Sequence, residues 1–218
     1  MAGRLIAIGD IHGCHLALQT LLDAVSPTMD DIVVALGDFV DRGPNSKDVI
    51  GQLIELGQRT QLVALKGNHE EMMIDVMRGD QPHHGWLKYG GVETLESYGF
   101  DGDLNFLPED HAFFLDSLGD YFATEEFFFT HAAYDPQLEF DQQPIELLRW
   151  HSLRNGIPDP HFSGKTAVVG HTANHEGDVL DVGHLVCLDT YCYGGGWLTA
   201  MDMTNQIMWQ ANQVGQLR

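Results

Sequence analysis

Cysteine is scarce: Cys14, Cys187 and Cys192 are the only three in 218 residues, and they form no C-x-x-C pair. That excludes a disulfide framework and a thiolate metal site, and leaves reduced thiols in a reducing compartment as the expectation. Basic residues are also few. Eleven Lys and Arg stand against thirty-two Asp and Glu, a formal charge of −21. This balance argues against a nucleic-acid surface or a face for anionic membranes. It also means that an anionic substrate needs local positive charge, which bound metal ions supply well. Long hydrophobic runs are missing. Arg4 is followed by only four consecutive apolar residues, Leu5 to Ile8, too few for a signal-peptide core, and no run reaches transmembrane length. A cytoplasmic location is the default expectation. No repeat, low-complexity tract or linker interrupts the chain, so 1–218 reads as a single domain. What remains, 44% hydrophobic and 20% charged, is a globular composition.

The stretch that organises the chain is Gly-Asp-Phe-Val-Asp-Arg-Gly at 37–43. It follows Ile32-Val33-Val34-Ala35-Leu36, a β-branched apolar run that predicts a buried strand. Two aspartates and an arginine therefore sit at the C-terminal tip of a strand, where open α/β sheets bind ligands. Gly-Asp-Ile-His-Gly at 9–13 follows the apolar run 5–8 in the same way, and Gly-Asn-His-Glu at 67–70 follows the run 61–65. Between them, Leu16, Leu18, Leu21, Leu22 and Val25, mostly at helical spacing, predict one helix closed by Ser26-Pro27. Val49, Ile50, Leu53 and Leu56 predict a second, with Ser46 as its cap and Gly57 at its end. Strand alternating with helix predicts a parallel α/β core.

Residues 71–120 predict irregular short helices, broken at Gly90-Gly91 and lying over one face of the core. Residues 121–124 and 127–130 predict a hairpin, with His131 directly after it. A polar helix over 145–154 and a strand over 166–169, ending at Gly170-His171, come next. The short apolar runs after residue 178 predict a second, mostly antiparallel sheet packed on the first. Part of the acidic count, Glu70-Glu71 and Glu125-Glu126 included, is expected on solvated faces.

Six residues at strand tips have the chemistry of metal ligands: Asp10, His12, Asp38, Asn68, His131 and His171. Mixed carboxylate, imidazole and amide donors suit Mn, Fe or Zn. Asp10 and His12, two apart in an extended segment, point the same way and can share an ion. Asp38 can bridge to a second ion held by Asn68, His131 and His171. Two ions roughly 3.5–4 Å apart would hold a hydroxide between them and clamp an in-line displacement. His69 is then free to protonate a leaving group, with Asp41 orienting it.

Together, Gly-Asp-Ile-His-Gly, Gly-Asp-Phe-Val-Asp-Arg-Gly-Pro-Asn-Ser and Gly-Asn-His-Glu resemble the phosphoprotein phosphatase family of metallophosphoesterases, in its short bacterial and phage Ser/Thr branch. Phe-Thr-His131-Ala and Gly-His171-Thr match that family's later metal histidines, and Lys88-Tyr89-Gly90-Gly91 with Thr94-Leu95, and Leu188-Asp189-Thr190 with Gly195-Gly196-Trp197-Leu198-Thr199, are also similar. The resemblance implies an α/β calcineurin-like fold, two packed mixed β-sheets flanked by helices. It implies two divalent ions, Mn first with Fe or Zn as alternatives, and phosphomonoester hydrolysis without a phosphoenzyme. It places Asp10, His12 and Asp38 on one ion, and Asp38, Asn68, His131 and His171 on the other. Arg42 binds phosphate, and His69 with Asp41 forms the acid pair. One position departs. The branch carries a second phosphate-binding arginine two residues after a tryptophan near Trp150, where this chain has Ser152; Arg149 and Arg154 flank it and either can reach the site. Asp189 and Tyr191 are candidates for shaping the cleft.

The expected function is therefore a Ser/Thr phosphoprotein phosphatase acting on a phosphorylated protein or small phosphoester. The alternative is a hydrolase of dinucleoside polyphosphates, whose enzymes resemble longer chains at the C-terminus; a non-catalytic metal-dependent binding protein is disfavoured because Asp41, Arg42 and His69 are all present.

Overall fold

A computed structural model describes residues 3–218. The predicted alternation forms the first half of the chain. Strands β1 (Leu5–Ile8), β2 (Ile32–Ala35) and β3 (Gln61–Ala64) lie parallel, with Ile6 opposite Val33 and Val33 opposite Leu62. Helix α1 (His15–Val25) buries Leu18, Leu21, Leu22 and Val25, and α2 (Ser46–Gly57) buries Val49, Ile50, Leu53 and Leu56. Each such side chain removed from water contributes about 1.5–3 kcal/mol, an upper value against an extended reference chain. The cap of α2 differs from expectation. Asn45 accepts the Asp48 N–H, whereas Ser46 is the first helical residue. The Ser46 hydroxyl turns inward and accepts from the Asp41 backbone N–H, so it serves the loop after β2 instead of the helix end.

Helix α3 (Asn68–Arg78) begins inside the Gly-Asn-His-Glu motif. The insert that follows comprises α4 (His83–Trp86), a wide turn over Leu87–Gly91 and α5 (Val92–Tyr98), broken where Gly90 takes φ 111°. Helix α6 (Glu109–Asp116) leads into the hairpin β4 (Tyr121–Ala123) and β5 (Phe127–Thr130). The polar helix is shorter than predicted, α7 spanning Ile145–Trp150, with a single helical turn at Leu153–Asn155 beyond it.

The C-terminal strands correct the sequence expectation. They do not make a sheet of their own. After β6 (Thr166–Val169), β7 (Leu180–Asp181) and β8 (Leu185–Cys187) join the hairpin in a sheet ordered β4-β5-β6-β8-β7, in which β5, β6 and β8 run parallel. Strands β9 (Leu198–Asp202) and β10 (Ile207–Ala211) instead extend the first sheet, giving β10-β9-β1-β2-β3 with β9 antiparallel to β1. All three residues of β8 are buried, as its place between β6 and β7 requires.

The result is two mixed five-stranded sheets. Ala7, Val34, Leu36, Phe129, Val168, Val186 and Leu188 fill the space between them. The helices α1, α2, α3 and α6 cover the outer face of the first sheet. Parallel strands from both sheets end at the same edge, and the polar loops after β1, β2, β5 and β6 converge there. No helix among the described residues is long and apolar enough to cross a membrane.

Candidate active site

The loops at that edge are held in backbone conformations that ordinary residues avoid. Eight described non-glycine residues have positive φ, and His12, Asp38, Asp41, Arg42, His171 and Tyr191 are six of them, at 45°, 51°, 72°, 68°, 63° and 65°. Such strain persists only where surrounding structure over-determines it, and it concentrates at functional sites. Two glycines let the loops close. Gly37 has φ 105°, and a Cβ there would lie 2.8 Å from Nδ1 of His131. A Cβ on Gly170 would lie 2.0 Å from the Asp10 carboxylate.

The centre is built on four imidazoles, each with one nitrogen tied back. His12 Nδ1 faces the Val40 carbonyl at 2.9 Å, and His131 Nδ1 faces the Leu36 carbonyl at 2.8 Å. His171 Nε2 faces the Trp150 carbonyl at 3.1 Å, and His69 Nδ1 faces the Asp41 carboxylate at 2.7 Å. Carbonyl and carboxylate oxygens only accept, so these nitrogens carry the hydrogen. The other nitrogen of each ring presents a lone pair inward. His131 Nε2 lies 3.2 Å from Asn68 Oδ1 and 3.4 Å from Asp38 Oδ1; His171 Nδ1 lies 3.0 Å from Asn68 Oδ1. His12 Nε2 and His69 Nε2 lie 3.5 and 4.0 Å from Asp38 Oδ2. His69 Nε2 is buried without a hydrogen-bond partner.

Lone pairs therefore face oxygens that are themselves acceptors, and a cation satisfies such an arrangement. The donor set fits divalent metal: the ligand atoms of Asp38, His131 and His171 lie within 4.8 Å of one another, as do those of His12, Asp38 and His69. Asp38 belongs to both groups, with one oxygen toward each. The ring nitrogens tied to carbonyls and carboxylate are the outer-shell bonds that orient metal-binding histidines. Asp10 is adjacent but differently engaged, its carboxylate accepting the His171 backbone N–H at 3.1 and 3.0 Å.

The electrostatics agree. Burial disfavours charge on His12, whose pKa falls well below the usual imidazole value. Burial, with the His131 charge second, takes His171 down to about 4. Burial lowers His131 as well, but the Asp38 carboxylate more than reverses this and pushes it up to about 10. Burial likewise raises Asp38, and the surrounding imidazoles overturn that and hold it well below the usual carboxylate range. Asp10, buried beside Asp189, is pushed up. A proton between Asp38 and His131 is one way to meet the converging lone pairs; a divalent ion is another.

A second network supports His69. Asp41 is fully buried and accepts from Trp86 Nε1 at 3.0 and 2.9 Å and from Thr94 Oγ1 at 2.7 Å, besides His69. Burial outweighs these bonds, and its pKa is raised. The Asp41 N–H donates to Thr94 Oγ1 at 2.9 Å, so the insert holds Asp41 by both backbone and side chain. Arg42 donates from its backbone to the Gly90 carbonyl. Its Nη1 lies 2.9 Å from the Tyr193 hydroxyl and 3.1 Å from His12 Nε2.

The two flanking arginines differ. Arg149 is engaged by Glu71 and Asp120, and so is turned to structural ion pairs. Arg154 donates to the Ala173 carbonyl at 2.6 Å, two residues beyond His171, on the rim. Ser152 accepts the Arg154 backbone N–H. Asp189 is buried, accepts the Tyr191 N–H and is pushed up to about 6 by burial.

Glu70 corrects the sequence reading. It is not on a solvated face but fully buried. One carboxylate oxygen accepts the backbone N–H groups of Asp38 and Gly67, and the other those of Phe39 and Val40. It thereby fastens the strained loop after β2 to the start of α3; burial, then the Asp38 charge, raise its pKa to about 7. The missed signal was its place three residues after the Gly67 cap, where a glutamate reaches back to the cap N–H. Trp86 and Tyr193 were also missed, and nothing local marks them; Thr94 entered only as part of the family resemblance, with no role attached.

Known proteins share this architecture. A protein provisionally described as a diadenosine tetraphosphatase superposes with TM-score 0.72 at 24% identity, covering 97% of this chain and 94% of that one. A protein serine/threonine phosphatase from Saccharomyces cerevisiae superposes with TM-score 0.63 at 18% identity, covering 93% and 73%. At these identities the likeness shows the fold. A symmetrical bis(5'-nucleosyl)-tetraphosphatase of Burkholderia pseudomallei is 38% identical over 74 residues, 34% of this chain but only 26% of that protein, so the match spans about a quarter of the relative. The family model of the calcineurin-like phosphoesterases matches residues 3–204, nearly the whole chain, and the protein belongs to that family.

Proposed function

We propose that this calcineurin-like phosphoesterase is a two-metal phosphomonoesterase acting on phosphoserine and phosphothreonine in proteins, with His69 as general acid. The observation that carries the reading is the pair of donor groups sharing Asp38, in one of which His69 is held through Nδ1 by the buried Asp41. Asp10, His12 and Asp38 would hold one ion, and Asp38, Asn68, His131 and His171 the other, Mn being the first choice. Bound there, the ions supply positive charge for phosphoryl oxygens and the means of activating water.

The chain's own residues do the rest. Arg42 grips non-bridging phosphoryl oxygens and offsets, locally, a chain of charge −21. In its doubly protonated form His69 gives the Nε2 proton to the departing alkoxide as the phosphorus–oxygen bond to the leaving group breaks, and returns to the Nδ1–H form. Asp41 fixes the ring through Nδ1 and stabilises its charged form. Trp86 and Thr94 fix Asp41. Arg154 on the rim is the better placed second arginine, since Arg149 is held in ion pairs. A single catalytic domain in a reducing cytoplasm completes the proposal, supported by three free, buried cysteines.

The likeness of the motifs at 9–13, 37–46 and 67–70 to the short Ser/Thr phosphatases favours a protein substrate. The Burkholderia relative favours a second reading, hydrolysis of dinucleoside polyphosphates. Turnover of a phosphoserine peptide, p-nitrophenyl phosphate and diadenosine tetraphosphate, before and after chelation and with Mn, Mg, Zn or Fe restored, tests both. Peptide turnover restored by metal supports the proposal. Turnover confined to the dinucleotide selects the second reading, and hydrolysis surviving exhaustive chelation refutes the two-metal chemistry common to both.

A further inference from the structure

We propose that Tyr193 is the positioning residue for Arg42, holding its guanidinium toward the substrate phosphoryl group when metal occupies the centre. This rests on Arg42 being the phosphate ligand of the preceding section. Two side chains hydrogen-bond the guanidinium, and both bonds use Nη1: His12 Nε2 at 3.1 Å and the Tyr193 hydroxyl at 2.9 Å. The first of these conflicts with metal binding. His12 Nδ1–H is committed to the Val40 carbonyl, so Nε2 has one lone pair, and that lone pair accepts from Arg42. It is also the one His12 offers to an ion. One lone pair cannot serve both, and a cation on His12 repels the guanidinium.

Tyr193 is the partner that does not depend on that lone pair. Its hydroxyl accepts from Nη1, and its ring face lies under the guanidinium, with Cζ 4.7 Å from the centroid, so it offers a cation–π contact as well. The tyrosine is itself fixed. Its ring meets His12 edge-on at 4.8 Å and Tyr191 at 4.9 Å, and Tyr191 stacks on His175 at 4.2 Å. The turn that presents it is tight: Tyr191 has φ 65°, and a Cβ on Gly194 would lie 2.0 Å from the Tyr191 ring. Buried Cys192 anchors the short helical turn Cys192–Gly194 between the two tyrosines. A long, flexible cation is thus preset by a ring that is itself packed against His12 and Tyr191, which reduces the ordering lost when a phosphate binds.

The test uses Tyr193→Phe, which keeps the ring and drops the hydroxyl, and Tyr193→Leu, which drops both contacts. Each is made alone and with Arg42→Ala. The metal-loaded proteins are compared by kcat and KM on p-nitrophenyl phosphate and by calorimetric Kd for inorganic phosphate, with metal content measured throughout. Tyr193→Phe is expected to raise KM and phosphate Kd about 3- to 10-fold, the effect of one lost hydrogen bond, with kcat changing less. Tyr193→Leu is expected to exceed it. Neither should weaken phosphate further once Arg42 is alanine. Unchanged phosphate affinity in both Tyr193 variants, while Arg42→Ala weakens it, overturns the positioning role and leaves the proposed function standing. Effects that persist undiminished in the Arg42→Ala background also overturn it, since Tyr193 then acts on the substrate directly. Unchanged affinity in Arg42→Ala itself removes the phosphate ligand on which both readings depend.

Discussion

Replacing His69 with asparagine removes the nitrogen that faces the centre while leaving the bond to Asp41 within reach. In the native arrangement Nδ1 is spent on Asp41 at 2.7 Å, and Nε2 is the nitrogen that faces the site, 4.0 Å from Asp38 Oδ2 and without a partner. The asparagine amide can reproduce the Nδ1–H bond to Asp41, but it places nothing where Nε2 stood. What is lost is the proton donor, and the loss should depend on how much the leaving group needs a proton. A serine alkoxide is a poor leaving group and requires protonation as the bond breaks; p-nitrophenolate departs without it. General acid–base catalysis typically contributes about 10²–10⁴-fold. That corresponds to roughly 3–5 kcal/mol of transition-state stabilisation at tenfold per 1.36 kcal/mol. His69→Asn should therefore lose kcat on a phosphoserine peptide by that factor, and lose much less on p-nitrophenyl phosphate. The assay is kcat and kcat/KM on both substrates, with metal content and circular dichroism measured on each preparation. Equal losses on the two substrates, with metal content full, would refute the assignment of His69 as acid.

Asp38→Ala should release more metal than Asp10→Ala, because the two Asp38 oxygens face different histidine groups whereas Asp10 accepts a backbone N–H; full metal content in Asp38→Ala, by elemental analysis, would contradict the bridge. Mn at a hundred times its dissociation constant should stabilise the fold by about 2.7 kcal/mol per site, or roughly 5–10 °C in melting temperature for a chain of this size. An unchanged melting temperature would exclude metal-linked stability. Asp31 gives a pH prediction away from the centre. The Arg4 guanidinium, 2.7 and 3.2 Å from its carboxylate, holds its pKa well below the usual range. The folded value lies below the unfolded value of about 3.9, so the stabilisation is fully present above that pH and is lost as pH falls below it. Asp31→Asn should cost about 1–3 kcal/mol at pH 7, and denaturant titrations should show the difference shrinking below about pH 4; a constant difference would refute it.

The legible parts of the chain were those with local physical signals. Ile32 to Ala35 could be read as a buried strand because β-branched residues ran without interruption, and the polar residues after it then had to lie at a strand tip. The inward donors His12 and Asp38 were legible by the same logic, since polar residues beside a glycine followed an apolar run each time, and His131 because it directly follows the mostly apolar run 127–130. Sheet membership of the C-terminal strands was not legible. Leu198–Asp202 pairs with Leu5–Ile8 across almost the whole chain, and no local pattern chooses between that partner and β8. Nor were Trp86 and Tyr193, or the role of Thr94, all of which depend on where an insert and a distant turn come to rest. Glu70 was misjudged because a glutamate pair suggests solvent, and only four backbone donors converging on it reverse that expectation.

The left-handed residues at the centre bear on whether this chemistry can be moved to another scaffold. Each non-glycine residue in that region costs about 1–2 kcal/mol, and Asp38, Asp41 and Arg42 fall within one short loop. A peptide or graft carrying only residues 37–43 would relax toward extended backbone and swing its carboxylates apart. A transplant that keeps its shape would have to bring the Glu70 carboxylate, the Gly90 carbonyl and the Thr94 hydroxyl with it. The smallest portable unit is therefore a loop together with its restraints from two other stretches of chain, the start of α3 and the insert, far larger than the motif that announces it.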